Sequence, residues 1–225
     1  MATALFALSV DALDPFRLAA FWGGLLGWET EHDGVTLLPR DDTGFCLRFL
    51  ATAEAKATQN LMHLDLTSQS WDQQADTVAR AVALGGRHTD VGQLPEEEHV
   101  VLADPEGNEF CVIEPGNSFL ADCGFIGALA CDGSRAVGLF WSAALGWPLV
   151  WDQGEETAIR SPAGGPKITW GGPPLMARPA RPRLRFELRA DGDAEADRLV
   201  ALGAAVVAPG LLADPDGNEF ALVRS

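Results

Sequence analysis

Leu102-Ala-Asp-Pro-Glu-Gly-Asn-Glu-Phe110 returns later in the chain as Leu212-Ala-Asp-Pro-Asp-Gly-Asn-Glu-Phe220, with eight of nine positions identical. The Asp-Pro-acid-Gly core is turn chemistry: Pro fixes φ at the first corner, Asp bonds its own backbone, and Gly supplies φ > 0. Apolar runs flank it, Val100-Val-Leu102 before and Phe110-Cys-Val-Ile113 after. Each copy therefore reads as a β-hairpin, and the pair makes repetition the first property of this chain.

Other stretches repeat as well. Ala20-Phe-Trp-Gly-Gly-Leu-Leu-Gly-Trp28 is answered by Leu139-Phe-Trp-Ser-Ala-Ala-Leu-Gly-Trp147, 119 residues apart counted from Phe21 to Phe140. Val82-Ala-Leu-Gly85 is answered 118 residues on by Val200-Ala-Leu-Gly203, but Asp104 and Asp214 are only 110 apart. The last unit has therefore lost about eight residues between helix and hairpin, either a strand or an acidic loop such as Pro95-Glu-Glu-Glu98. Asp14-Pro15 starts a helix with Asp as N-cap and Pro at N1, and Gly27 ends it. Leu18, Phe21, Trp22, Leu25 and Leu26 recur at helical spacing, so Trp22 and its counterpart Trp141 read as packing residues. Ser70 caps a second helix predicted to turn Trp71, Ala75, Val78, Ala81 and Val82 inward. Strands are expected at residues 5–10, 35–38, 45–50 and 61–66.

Composition narrows the function. At 225 residues and 47% apolar content the chain can bury a sizeable core. Its formal charge of −16 repels phosphate backbones and anionic lipid, so neither a nucleic-acid nor a membrane partner is expected. Met1-Ala-Thr-Ala does not read as a secretory leader, and no run reaches the roughly 18 apolar residues of a membrane span, so a cytoplasmic location is expected. Cys46, Cys111, Cys123 and Cys131 form no Cys-x-x-Cys pair and read as buried reduced thiols.

Four strand-helix-strand units, in two pairs each ending Asp-Pro-x-Gly-Asn-Glu-Phe, with Phe-Trp-x4-Leu-Gly-Trp on the first helix of each pair, resemble the vicinal oxygen chelate superfamily. That group includes glyoxalase I, extradiol dioxygenases and bleomycin resistance proteins. His63-Leu-Asp-Leu66, Ala83-Leu-Gly85 and the Leu102–Phe110 stretch are most similar to its glyoxalase-like domain branch. The resemblance implies an α+β fold of four βαβββ modules paired into two cups with helices outside. Residues 1–116 would form one domain, with modules 1–55 and 60–116. Residues 122–225 would form the other, with modules 122–174 and 182–225.

In metal-dependent members of the superfamily, His, Gln or Glu ligands project into a cup from the first and last strands of two modules. The matching first-strand positions here are Phe6, His63, Gly127 and Arg185. On the last strands Cys111 and Ala221 stand where Glu is the expected ligand, and unit one offers Arg48. One imidazole cannot hold a catalytic divalent ion, which needs about three protein ligands. No metal and no cofactor are expected.

The residues themselves supply the remaining candidates. His63 and Asp65 lie two apart on a strand and share a face. They form an acid–base or ligand-binding pair that Cys111 can join; alternatively, all three are structural. Arg183, Arg185, Glu187 and Arg189 alternate with apolar residues. If they line a cup, they favour an anionic ligand, and if they face solvent they are an ordinary charged surface. Trp170 is a candidate aromatic wall. The ligand-binding set is thus Phe6, Arg48, His63, Asp65, Cys111, Trp170, Arg185, Glu187 and Arg189. These features point to a small-molecule-binding protein that works without metal, sequestering an antibiotic or metabolite or performing acid–base chemistry. The alternative is a metal-dependent lyase or dioxygenase with a displaced set, His63, Asp65 and Glu114. The protein would be a monomer, its second half replacing a dimer partner, or a homodimer.

Overall fold

The computed structural model describes residues 3–94, 96–178, 181–190 and 194–224. The first module contains β1 (Ala4–Ala12), α1 (Pro15–Leu26), β2 (Glu29–Thr30), β3 (Thr36–Leu38) and β4 (Cys46–Ala51). The second contains β5 (Met62–Leu66), α2 (Trp71–Ala83), β6 (Arg87–His88), β7 (Val100–Ala103) and β8 (Glu109–Val112). The third contains β9 (Ile126–Cys131), α3 (Arg135–Leu145), β10 (Leu149–Gln153), β11 (Glu156–Arg160) and β12 (Lys167–Trp170). The fourth contains β13 (Leu184–Ala190), α4 (Ala194–Ala201), β14 (Ala205–Ala208), β15 (Leu211–Ala213) and β16 (Glu219–Arg224). The fold is α+β, with four βαβββ modules as expected. No helix among the described residues is long and apolar enough to cross a membrane.

The way the modules combine departs from the order of the chain. Each half was expected to close its own cup, modules one with two and three with four. Instead one eight-stranded sheet runs β14-β15-β16-β13-β1-β4-β3-β2, joining module four to module one. The other runs β10-β11-β12-β9-β5-β8-β7-β6, joining module three to module two. The joints are antiparallel pairs of first strands, β1 on β13 and β5 on β9.

What holds each half together is the pair of repeated motifs. Trp22 of α1 packs on Phe110 of β8, and Trp141 of α3 packs on Phe220 of β16, with ring centroids 5.0 Å apart in both contacts. The two indoles donate to Asp104 and Asp214 at 3.2 Å. Asp104 also accepts from the backbone of Glu106 and Asn108 and from the Asn108 amide, so the repeated acid is a buried turn clamp. Burial pushes both carboxyls above their ordinary range, although the Asn and Trp donors pull the other way.

Local expectations met mixed outcomes. Asp14 caps α1 by accepting from the Arg17 backbone, and Gly27 ends that helix at φ 72°. Ser70 caps α2 through the Gln73 backbone, and Ala81 is buried and Val78 packs on the core as expected, but the rest of the inward face differs. Trp71 and Val82 are exposed, while Gln74, Thr77 and Ala81 are buried. Gln74 is anchored there because its amide donates to the carbonyls of Glu98 and Val112. In module four all three strands after the helix remain, and only Pro209-Gly210 separates β14 from β15. The lost residues are therefore the acidic loop.

Candidate functional site

In each sheet one face joins the core and the other lines a cup, because successive strand residues alternate faces. Leu8, Val10, Leu64, Leu129 and Ile168 all belong to the core. Their neighbours Ser9, His63, Asp65, Ala128, Ala130, Lys167 and Thr169 therefore face the cups.

The cup of modules one and four holds five of the candidates, and they are engaged with one another or with Asp11. Arg48 donates to Glu187 at 2.5 Å, and only 4% of Glu187 is exposed. Arg185 is tied to Asp11 at 3.0 Å, and Arg189 lies 3.7 Å from the centroid of the Phe6 ring. Arg183, which was expected to share that face, instead reaches Glu106 of module two at 2.5 Å. Arg48, Arg183 and Arg185 already have acidic partners, which weakens the anion-binding role expected of this strand, while Arg189 stacks on Phe6 without one.

The cup of modules two and three brings the remaining chemical candidates together. His63 and Asp65 pair at 3.3 Å, and Cys111 sits beside Asp65 in the β5–β8 register. One donor atom from each of the three falls within 4.8 Å of the others. Burial alone would lower the His63 pKa, but hydrogen bonds to Asp65 and Cys111 outweigh it and raise the value to about 10. With 32% of the His63 side chain exposed, solvent screens part of that pairing. Burial raises the Cys111 pKa despite the opposing pull of His63, which keeps the group a thiol.

Across β9, Ala130 pairs with both His63 and Thr169, and Ala128 pairs with both Asp65 and Lys167. Two small side chains thus separate the His63–Asp65 pair from Lys167 and Thr169 on one floor. An open pocket of about 560 Å3 lies beside Lys167 and Thr169, with Trp151 and Phe119 among its walls. Residues 116–124, which connect the halves, fold into this cup. Phe119 meets Trp151 edge to face at 5.8 Å and accepts a hydrogen bond from Lys167, and Leu120 packs with Val101, Cys111, Ile113 and Ala128.

Several placements differ from those read in the sequence. Trp170 is 2% exposed and belongs to the core, because on β12 it alternates with Thr169 and faces away from the cup. It nonetheless borders the pocket beside Thr169, so it contributes to that wall from the core side. Phe6 and Gly127 do not stand at regular ligand positions: each falls at a register shift between paired first strands. Glu114 bonds to Asn117 and lies outside the donor cluster of His63, Asp65 and Cys111. Lys167, Trp151 and Phe119 were missed. Lys167 is one of only two lysines in the chain, which was the available signal.

The sequence model of the glyoxalase-like domain matches residues 7–113 and again residues 127–223. A search of curated proteins finds no sequence match. Among solved structures, maize glyoxalase I superposes with TM-score 0.65 at 11% identity, covering 99% of this chain and 92% of that one. A putative dioxygenase from Bacillus subtilis superposes with TM-score 0.60 at 14% identity, covering 98% and 84%. At such identity these likenesses speak for the fold alone.

Proposed function

Because the chain belongs to the glyoxalase-like domain family, we propose that it binds a small organic molecule in the cup of modules two and three, without needing a metal. The molecule is either sequestered there or acted on by acid–base chemistry. The observation carrying this reading is the contrast between the cups: one is occupied by its own ion pairs, and the other keeps His63, Asp65 and Cys111 on the same floor as Thr169 and Lys167 beside an open pocket. His63 is raised far above neutrality, so at pH 7 it donates a hydrogen bond or a proton and does not act as a base. Asp65 orients it. Lys167 adds a second positive group to the floor, which favours a ligand carrying a carboxylate or polarised carbonyl oxygen. Trp151 and Phe119 suit a flat apolar body.

His63→Ala should weaken ligand binding by tenfold or more while the fold persists. Stoichiometric Zn2+, Ni2+ or Fe2+ binding that supports turnover, seen by isothermal titration and a rate assay, would overturn the metal-free reading.

A second reading rests on a specific observation. His63, Asp65 and Cys111 are three donors within 4.8 Å, the number a catalytic zinc needs, so the residues fit a metal that the fold family implies. Such an ion would supply Lewis-acid chemistry to a bound oxygen. To hold it, His63 and Cys111 must first shed their protons, so under this reading metal affinity rises with pH. Module three contributes Ala128, Ala130, Thr169 and the cation Lys167 to the same floor, which favours the metal-free alternative.

A further inference from the structure

The two halves also repeat a seam, where a helix Trp meets the Asp-Pro-x-Gly-Asn-Glu turn on the core side of the sheets. Register makes the seams equivalent: Val10 pairs with Phe49 and Leu184 in one, and Cys131 pairs with Trp170 and Met62 in the other. They differ in volume. The seam of Trp22, Asp104 and Glu109 holds about 10 Å3, and that of Trp141, Asp214 and Glu219 about 280 Å3.

Charge pairing distinguishes them too. In the closed seam the Glu109 carboxylate accepts from Lys56 Nζ at 2.5 Å and from the Asn60 backbone at 3.2 Å. In the open seam Glu219 has no hydrogen-bond or ion-pair partner among the described residues. The cations that line this seam are already engaged, Lys56 with Glu109, Arg181 with Asp11 and Arg183 with Glu106. The open seam thus combines core-side apolar walls with a carboxylate, Glu219, that has no partner among the described residues.

We propose that this seam is a second ligand site, outside both cups, which takes a small organic cation with a compact apolar body. Its ammonium pairs with Glu219, and its body lies against Met62, Trp170 and Phe186. The volume falls just below the roughly 300–1,000 Å3 common for ligand pockets, which suits a molecule the size of a simple aromatic amine. The net charge of −16 draws cations toward the protein at long range. Nothing in this site overlaps the cup of His63, so its occupancy and the cup's are separable.

The test uses the full chain with 2-phenylethylamine as probe and 2-phenylethanol as its neutral counterpart, followed by isothermal titration and by the indole N–H resonances of Trp141 and Trp170. The amine should bind one to one, shift both indoles and lose at least tenfold in affinity in Glu219→Gln. The alcohol should bind more weakly and equally to both proteins. The proposal is overturned if the amine fails to bind saturably, if Glu219→Gln binds it as well as the parent, or if the shifts fall on the His63 cup. If Glu219→Gln does not fold, the indole shifts in the unmodified protein decide.

Discussion

His63 carries most of the chemistry, and its environment makes its behaviour with pH specific. Its unfolded value is about 6.5, and in the folded chain the Asp65 and Cys111 hydrogen bonds raise it to about 10 against the opposing effect of burial. A folded value above the unfolded one means the His63–Asp65 pair stabilises fully below about pH 6.5, and that contribution is lost as pH rises through about 10. Urea unfolding should therefore find His63→Ala destabilised by about 1 kcal/mol at pH 6, after allowance for solvent screening, and by almost nothing at pH 10.5. An equal loss at both values would remove the imidazolium from the account. The turn clamp gives a second prediction: Asp104→Ala strands the Trp22 indole and two backbone N–H groups, and should cost about 3 kcal/mol or more in chemical denaturation. At this scale the sequence already put His63 and Asp65 on one face and identified Asp104 as turn chemistry. It could not reveal that Asp104 and Trp22, 82 positions apart, are bonded to each other, because that distance closes only in three dimensions.

Among elements, the segment 116–124 matters most to the site, and its fit depends on one glycine. A Cβ on Gly127 would lie 2.9 Å from Leu120 Cδ1 and 2.6 Å from Thr67 Cγ2. The equivalent register shift in the other cup is occupied by Phe6, whose ring carries the Arg189 guanidinium 3.7 Å from its centroid. Gly127→Ala should cost about 1–3 kcal/mol by overpacking. Combining it with Leu120→Ala should recover part of that cost, and the coupling can be read from a double-mutant cycle of unfolding free energies. Strict additivity would mean that the segment does not press on Gly127. The linker looked like a mere boundary in the sequence because Gly, Asn and Ser dominate its start, and Phe119 and Leu120 gave no periodic signal. In α2 the misread face has a comparable cause: helical spacing fits two overlapping stripes, and Gln74 wins one of them by satisfying two carbonyls that an apolar residue would leave bare.

For the whole molecule, the repeats revealed four modules but not their partners. Copies of one motif are interchangeable in sequence, so proximity along the chain suggested pairing one with two. The observed joints are set by the first strands, whose edges meet across the halves. A chain ending at Asp122 would strip β1 of β13 and β5 of β9, exposing two long central edges. In light scattering such a half-chain should aggregate or pair with a second copy. A folded monomer would contradict the crossed sheets. The crossing also places His63, Asp65 and Cys111 opposite Lys167 and Thr169, residues from the other half of the sequence, which is why the floor of the open cup could not be assembled from either half alone. The most direct test of that cup's role is a fragment soak of chelator-treated crystals, using small aromatic carboxylates and read as electron density. Fragments should lie between His63 and Thr169 beside Trp151. Fragments seated against Arg48 and Glu187, with none at His63, would contradict the assignment.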